Sequence, residues 1–428
     1  MPGDSPLRRL VGLAFVLAGK VLGQGALLVY GMVVAHAAGP EDFALFAVIL
    51  NLVLLADACL GSPVDYGVIR FTALHERDPE RADRLHAAAF RLKFLFGVTL
   101  VLGAVAFGPD VARGLLRDKS RVGLIEVAAG LTLALLLNRS VATFVQSKSN
   151  FRVYSLLDVT QGLLRALVLA ALAFLGARSA GAYFGGLLAA SAALLLVSLW
   201  LIRQPYFSAG WPSRKDLFET LRFVGVTTGV IVLSTMTGRT DLLFLTQHAP
   251  ADIAHYAGAS QMAAIASLVA AYGSVVAQPI LIPAARQGRA LKLLGESLAL
   301  GIIAAGVFLL VVWGFGGAIM RLGFGPGFEH AAPLLTILSV GTCIDLITMP
   351  LAMTFILQFR PRLAICGEIL ITAVYLGLAG PLADAGPEHM AWLVTGVRIA
   401  KGALYIGGTL YVLTRPSFRA TIAETVLK

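Results

Sequence analysis

Six basic residues lie inside long apolar stretches of the sequence, where charge is expensive. They are Lys20, Arg139, Arg165, Arg239, Arg398 and Lys401. If all six faced lipid at mid-membrane depth, at about 2.5–3.5 kcal/mol each, the cost would be on the order of 15–20 kcal/mol. A typical fold has a net stability of only about 5–15 kcal/mol. These side chains must therefore face water, a partner or the membrane interface, where ammonium and guanidinium groups bind anions.

Helical spacing places polar side chains beside several of these cations. Lys20 and Gln24 are one turn apart, between glycines that allow another helix to approach closely. Further stripes are Asp158, Gln161 and Arg165; Arg398, Lys401 and Tyr405; and two on the seventh apolar stretch, Thr227, Ser234 and Asp241 beside Thr228, Thr235 and Arg239. Two interpretations are open, a cation-lined cavity or ion pairs inside the bundle with Asp57, Asp158, Asp241, Asp345 or Glu368.

Two carboxylates, Asp57 and Asp345, lie deepest in apolar surroundings. A desolvated carboxylate favours its protonated form, so it can bind and release a proton during transport. We therefore predict Asp57 and Asp345 as ion-coupling residues. The alternative role is a hydrogen bond to a neighbouring helix.

The composition shows which elements must position these side chains. Of 428 residues, 58% are hydrophobic and 14% are charged, whereas about a quarter of a soluble domain is charged. Apolar stretches of about 18 residues or more indicate transmembrane helices. The sequence therefore predicts an all-α polytopic membrane protein with about twelve transmembrane helices. The predicted spans are 10–36, 43–66, 92–109, 122–145, 154–176, 180–202, 221–247, 252–279, 293–319, 331–357, 363–382 and 389–413.

The distribution of Lys and Arg between these spans predicts the orientation. With a cytoplasmic N-terminus, the inside segments hold 22 of the 34 basic residues and the outside segments hold 6, the remainder lying within spans. The positive-inside rule therefore favours a multi-pass protein with both termini in the cytoplasm. The basic segment 113–121 is contrary to the rule, because it falls on the outside.

An internal repeat is visible at an offset of 210 residues. AGPEDFALFA at 38–47 aligns with HAPADIAHYA at 248–257, with four identities in ten. The same offset carries the spans that start at 122, 154 and 180 onto those that start near 332, 364 and 390. Since each half has six spans, we predict two six-helix lobes, 1–205 and 206–428, related by a pseudo-two-fold axis along the membrane normal.

These segments resemble the oligosaccharide flippases of the Wzx type, the polysaccharide transporter branch of the MATE/MOP flippase superfamily. The resemblance lies in AGPEDFALFAVILNLVLLADACLG, GRTDLLFLTQHAPADIAHYAGA, QSKSNFRVY and RLGFGPGFEHAAPLLTIL. It implies two lobes around a central cavity that opens alternately to each side. It also implies translocation of a polyprenyl-diphosphate-linked oligosaccharide from the cytoplasmic to the outer leaflet of the bacterial inner membrane, for surface polysaccharide or lipopolysaccharide biosynthesis.

Under this interpretation the cations bind the substrate diphosphate, and Ser, Thr and Gln side chains meet the sugar hydroxyls. The predicted substrate-binding residues are Lys20, Gln24, Arg239, Asp241, Arg165, Arg398 and Lys401. The expected partners are the lipid-linked oligosaccharide and membrane lipids, with a glycan polymerase and glycosyltransferases as further candidates.

Other functional classes are disfavoured or kept as alternatives. The basic residues are dispersed between apolar runs, which argues against nucleic acid, and the three Cys and seven His lack metal-site spacing, so we expect no metal or cofactor. Nucleotide-binding and nucleophile motifs are absent, so we expect no enzyme activity. The main alternative is a MATE-like ion-coupled exporter of small cations. A glycan polymerase or ligase and a non-transporting scaffold are lesser ones.

Overall fold

The computed structural model describes residues 6–74, 78–148, 150–202, 204, 206–248, 250–286, 290–354 and 361–414. All regular secondary structure in these residues is helical. The helices are α1 (Pro6–Leu74), α2 (Pro79–Leu116), α3 (Val122–Ser147), α4 (Phe151–Phe174), α5 (Ala180–Leu201), α6 (Arg214–Arg239), α7 (Asp241–Phe244), α8 (Pro250–Arg286), α9 (Ala290–Phe324), α10 (Ala332–Thr354), α11 (Pro361–Asp384) and α12 (Pro387–Thr414). Single 3₁₀ turns cover Lys119–Arg121, Leu245–Gln247 and Phe328–Ala331.

The stretch labelled α1 contains the first two predicted spans, 10–36 and 43–66. Its backbone leaves the helical region at Gly39, with φ 81° and ψ 176°, and the following residue is Pro40. Glycine adopts positive φ without a Cβ clash, and proline favours the first position of a new helix. The two residues therefore divide α1 into two helices.

Helices occupy each predicted span, and the membrane class is confirmed. Within the described residues, eight helical stretches are long and apolar enough to cross a membrane. Large apolar side chains are exposed on the outer faces of the helices, such as Phe174 at 91% and Trp313 at 80%. Such exposure suits lipid as the surrounding solvent.

The internal repeat extends to the boundaries of the helices. Helices α4 and α11 differ by 210 at both ends, and α3 and α10 begin 210 residues apart. Two turns also correspond, because positive φ occurs at Arg117 and Gly327 and again at Gly176 and Gly386. The described residues thus contain the same succession of helices and turns twice. The lobe limits 1–205 and 206–428 remain a prediction.

The first compact unit, Met1–Ala254, is organised around α1. This helix packs against α3, α4 and α6, while α2 and α5 pack against α3. Helices α1 and α4 come closest at two glycines, because a Cβ added to Gly162 would lie 2.7 Å from the carbonyl oxygen of Gly23. Small residues at a membrane interface allow such backbone contact.

The second compact unit, His255–Lys428, is organised around α10. This helix packs against α9 and α12, and α11 packs against α12. Gly402 on α12 lies against α10, since an added Cβ would be 2.6 Å from the Ile344 side chain. Helix α3 in the first unit and helix α10 in the second both begin after a 3₁₀ turn, and each packs against at least two other helices.

Candidate functional site

A buried ion network joins α1, α2 and α3 in the first unit. Lys93 Nζ lies 2.5 Å from Asp65 Oδ1, which also accepts a hydrogen bond of 2.8 Å from Thr143 Oγ1. Arg139 NH1 donates to Asp57 Oδ2 at 2.7 Å, and Arg139 Nε lies 3.4 Å from Asp65 Oδ2. Two carboxylates thereby neutralise two cations. We call these five residues the α1–α3 network.

Helical spacing explains how the α1–α3 network forms. Asp57 and Asp65 are eight residues apart on α1, so they share one face, with Gly61 between them. A Cβ at Gly61 would lie 3.3 Å from Asp57 Oδ1 and 3.8 Å from Arg139 Cδ, so the glycine leaves room for the arginine. Thr143 follows Arg139 by one turn on α3.

Burial differs sharply within the network. The Lys93 side chain is fully buried and that of Asp65 is 11% exposed, whereas that of Arg139 is 42% exposed. A buried ion pair survives only with good geometry, because removing one partner costs about 3–5 kcal/mol. Lys93 and Asp65 therefore form the protected half of the network, and Arg139 is its partly exposed member.

The second half of the chain shows that this helical framework does not require the charges. At an offset of 210, Asp65, Lys93, Arg139 and Thr143 correspond to Val275, Ile303, Met349 and Met353. Apolar side chains occupy all four positions, although the helices correspond. Since apolar replacement of a buried ion pair is often neutral or stabilising, these charges point to a role other than holding the helices together.

Arg165 lies at a second polar position of the first unit. Its Nε donates to Ser191 Oγ at 2.9 Å, so it links α4 to α5. The Gln161 side-chain oxygen, in the amide orientation that satisfies both groups, accepts from Arg165 NH1 at 3.0 Å. The predicted stripe on α4 thus brings Gln161 and Arg165 together.

Arg239 and Asp241 lie where α6 is interrupted. Helix α6 ends at Arg239, and the short α7 begins at Asp241. Arg239 NH1 is 3.5 Å from Asn51 Oδ1 on α1, and Asn51 Nδ2 donates to the Arg239 carbonyl oxygen. Asp241 is only 4% exposed. The break therefore places a half-buried guanidinium and a buried carboxylate two residues apart.

Asp345 pairs with Arg398 in the second unit. Arg398 NH1 on α12 lies 2.7 Å from Asp345 Oδ2 on α10, and Ser267 Oγ on α8 lies 3.2 Å from the same oxygen. The side chains of Asp345 and Arg398 are 32% and 21% exposed. Both predicted ion-coupling carboxylates, Asp57 and Asp345, are therefore bound to arginine.

Lys401 pairs with Glu368, which is fully buried between α11 and α12. Lys401 Nζ lies 2.9 Å from Glu368 Oε2, and the Tyr405 hydroxyl donates to Glu368 Oε1. Lys401 and Tyr405 are one turn apart on α12, as the spacing predicts. Because both side chains bind Glu368 on α11, this cluster links α11 to α12.

The remaining predicted residues lie on α1. Lys20 and Gln24 belong to its first half, but their side chains fall outside the described residues. Their predicted roles stay predictions.

Four members of the α1–α3 network, Asp65, Lys93, Arg139 and Thr143, are not among the site residues predicted from the sequence. The count of basic residues assigns Lys93 to a cytoplasmic segment at the edge of the predicted span 92–109, whereas in the structure it lies well inside α2, which begins at Pro79. No role is predicted for Asp65. The signal that could have found it is the spacing of Asp57, Gly61 and Asp65 at intervals of four on one helix.

Comparison with known proteins decides the family. The family model described as polysaccharide biosynthesis protein matches residues 10–284, more than half of the chain. The chain belongs to this family. No curated protein matches significantly.

The fold of the chain is similar to that of transporters of the MOP superfamily. Its structure is similar to the lipid II flippase MurJ in an inward closed conformation, with TM-score 0.73, 13% identity and coverage of 98% of this chain and 91% of that one. It is also similar to an inward-facing multidrug resistance MATE transporter, with TM-score 0.71, 16% identity and 95% coverage of both chains. A third is a MOP superfamily transporter from Pyrococcus furiosus, with TM-score 0.65, 12% identity and coverage of 96% and 95%. The resemblance predicted from the sequence is confirmed at the level of family and fold.

The family match includes the whole α1–α3 network, as well as Arg165, Arg239 and Asp241. The pairs of Arg398 and Lys401 lie beyond residue 284. The functional proposal therefore rests mainly on the first unit.

Proposed function

We propose that this polysaccharide biosynthesis protein is a flippase for lipid-linked oligosaccharides. It would move an oligosaccharide on polyprenyl diphosphate from the cytoplasmic to the outer leaflet of the bacterial inner membrane, with both its termini in the cytoplasm. The observation that carries the proposal is the family match, on a chain whose fold is shared with a lipid II flippase. Glycosyltransferases would supply the substrate, and a glycan polymerase would use it.

The chemistry of the first unit supports an anionic substrate. A diphosphate offers several charged oxygens, and arginine binds such groups through two parallel hydrogen bonds. Arg139 is the most exposed member of the α1–α3 network, and its NH1 already binds an anionic oxygen of Asp57. A substrate phosphate would take the place of the Asp57 carboxylate on the guanidinium group.

Replacement of a carboxylate by the substrate phosphate on an arginine also gives a role to the predicted ion-coupling residues. When the diphosphate occupies Arg139, Asp57 loses its cationic partner and becomes available to bind the coupling ion. Asp345 and Arg398 offer the same exchange in the second unit, because Arg398 NH1 binds both Asp345 and Ser267. Binding of the anion would thereby be linked to binding of the coupling ion. Lys20, Gln24, Arg165, Arg239, Asp241 and Lys401 complete the proposed substrate-binding set.

The test is a leaflet-accessibility assay in proteoliposomes. The probe is a polyprenyl-diphosphate-linked saccharide with a fluorophore on the sugar, and an impermeant reductant destroys the fluorophore in the outer leaflet only. Wild-type protein is expected to expose the inner-leaflet pool, while empty vesicles keep it protected. A control probe in which the labelled saccharide is joined to the polyprenyl chain without a diphosphate should not move.

Matched variants separate substrate binding from folding. Since a hydrogen bond to a charged group contributes about 1.5–3 kcal/mol, we expect D57N combined with R139A to slow flipping about 10- to 100-fold. This double variant leaves neither charge of that pair behind. The control is K148Q, which breaks the more exposed ion pair to Asp83. Movement of a fluorescent organic cation down a pH gradient, without movement of the lipid probe, would favour the MATE-like exporter and refute the proposal.

A further inference from the structure

A basic segment at the junction of α2 and α3 has no role in the proposed transport. It runs from Asp110 to Arg121, which includes the last turns of α2 and the 3₁₀ turn that follows, and it carries four basic residues against Asp110 and Asp118, a net charge of +2. We call this segment the basic loop. The basic residues are Arg113, Arg117, Lys119 and Arg121, and all four are exposed. The predicted orientation places this loop on the outside, where the positive-inside rule expects few basic residues.

The second half of the chain builds the same turn without this charge. At an offset of 210, Arg113, Arg117, Lys119 and Arg121 correspond to Gly323, Gly327, Glu329 and Ala331. A 3₁₀ turn occupies Lys119–Arg121 in the first half and Phe328–Ala331 in the second. Since the turn forms in both, the basic side chains are not needed to build it.

Arg117 adopts an unfavourable backbone conformation. Its φ of 56° makes it the one non-glycine residue with positive φ in the described residues, and the corresponding residue is Gly327 with φ 96°. An L-residue in the left-handed region is strained relative to glycine. Such strain is characteristic of functional positions. Arg117 therefore ends α2 in a conformation that glycine would adopt more easily.

Asp118 holds part of the loop in shape. Its carboxylate accepts hydrogen bonds from Ser120 N at 2.9 Å and Ser120 Oγ at 2.7 Å, and Arg121 Nε lies 3.1 Å from it. These bonds, those from Ser120 first, hold the pKa of Asp118 below its ordinary value. In the described part of the chain, Arg117 and Lys119 form no ion pair. Two cations thus point outward from a fixed turn.

The residues around the basic loop indicate that it lies near the membrane surface. Phe107 and Val111, one turn apart on α2 where the basic loop begins, are 63% and 38% exposed, as expected of side chains in lipid. An open cavity of about 320 Å³ lies beside the loop, and its lining includes Asp42, Ser120, Arg121 and Ser179. Charge next to a lipid-facing helix end lies at the level of the phospholipid headgroups.

We propose that the basic loop binds the phosphate of anionic phospholipid headgroups, with Arg117 as the main ligand. Arg113, Lys119 and Arg121 add to the attraction, and the turn fixed by Asp118 orients the cations toward the membrane surface. The interaction does not involve the transported substrate, so it can be tested independently of the proposed function.

A local fluorescence reporter tests this proposal in the full-length protein. F107W places an indole one turn from the loop, and subtraction of the parent protein's signal isolates it. In vesicles that contain brominated phosphatidylglycerol or brominated phosphatidylcholine, quenching gives the relative affinity for the two lipids. We expect preference for phosphatidylglycerol with F107W alone. R117G in this background should lower the preference about fivefold, since each basic residue near a membrane surface contributes a factor of this size, while R117K should retain it.

The same variants provide the controls. R117G should raise the thermal midpoint of unfolding in neutral detergent, because glycine relieves the backbone strain, so loss of lipid preference cannot come from misfolding. R321Q removes an exposed arginine from the other half and should leave quenching unchanged. Equal quenching in F107W and in F107W combined with R117G would overturn the proposal. Displacement of phosphatidylglycerol by inorganic pyrophosphate would also overturn it, in favour of a site for a soluble anion.

Discussion

Replacement of Lys93 by isoleucine tests whether the α1–α3 network is dispensable for stability. Isoleucine is the residue at the corresponding position of the second half, Ile303. K93I leaves the buried Asp65 carboxylate without the ammonium group that now lies 2.5 Å away. Removing one member of a buried pair costs about 3–5 kcal/mol, whereas apolar replacement of both is often neutral or stabilising by about 1–4 kcal/mol.

The double variant D65V with K93I introduces both residues of the second half. We expect K93I alone to lower the free energy of unfolding by about 3–5 kcal/mol and the double variant to recover most of this loss. Titration with SDS in mixed micelles measures both values, and the double-mutant cycle gives the coupling between the two residues. The control is K148Q, whose partly exposed pair with Asp83 should contribute less than about 1 kcal/mol.

Two results would refute the reasoning. One is a K93I variant that is as stable as the wild type, since the buried carboxylate would then need no cation. The other is a double variant no more stable than K93I, since the framework would then depend on the charges themselves. If the double variant is stable but transports poorly, the network serves function, as the apolar residues of the second half suggest.

Three further predictions concern the helix packing, and each is measured as the change in free energy or midpoint of unfolding. G162A should destabilise by about 1–3 kcal/mol through overpacking, whereas G185A, which meets no atom within 4 Å, should change little; equal effects would contradict the close approach of α1 and α4. E368Q should cost about 3–5 kcal/mol because it leaves the Lys401 ammonium group without its buried carboxylate, and a loss below 1 kcal/mol would refute this pairing. Y206F should cost about 1 kcal/mol through loss of a buried hydrogen bond. Burial raises the pKa of Tyr206 well above its ordinary value, so the loss should be constant up to about pH 10, where the unfolded chain begins to ionise, and should shrink as the pH rises from there to the folded-state pKa.

The positions of the helices could be predicted from the sequence because lipid imposes a simple rule on it. A helix that crosses a membrane needs a long apolar run, and turns between such runs need Gly, Pro or charge. The offset of 210 was also visible in the sequence, and the helix boundaries follow it. The start of α2 at Pro79 was missed because its first turns are charged and lie outside the apolar run.

The partners of the cations could be predicted only in part. Spacing correctly grouped Gln161 with Arg165, and Lys401 with Tyr405, because neighbours on one helix are a local property. It could not show that Lys401 meets Glu368 or that Arg398 meets Asp345, because such pairs depend on how two distant helices pack. The predicted alternative of ion pairs inside the bundle describes Arg398 and Lys401 well. Their role in substrate binding remains a prediction.

The pairing of charges has a consequence for the response to membrane voltage. An isolated charge that moves across the whole membrane potential exchanges about 2.3 kcal/mol of work per 100 mV with the field. Asp345 with Arg398, and Glu368 with Lys401, each form a unit of zero net charge, as does the α1–α3 network. Rearrangement of helices that carry such units transfers almost no gating charge. Through these three units, the electrical potential can therefore act mainly on the ions that the protein binds there. The stoichiometry of those bound ions is then a quantity that a current measurement would report.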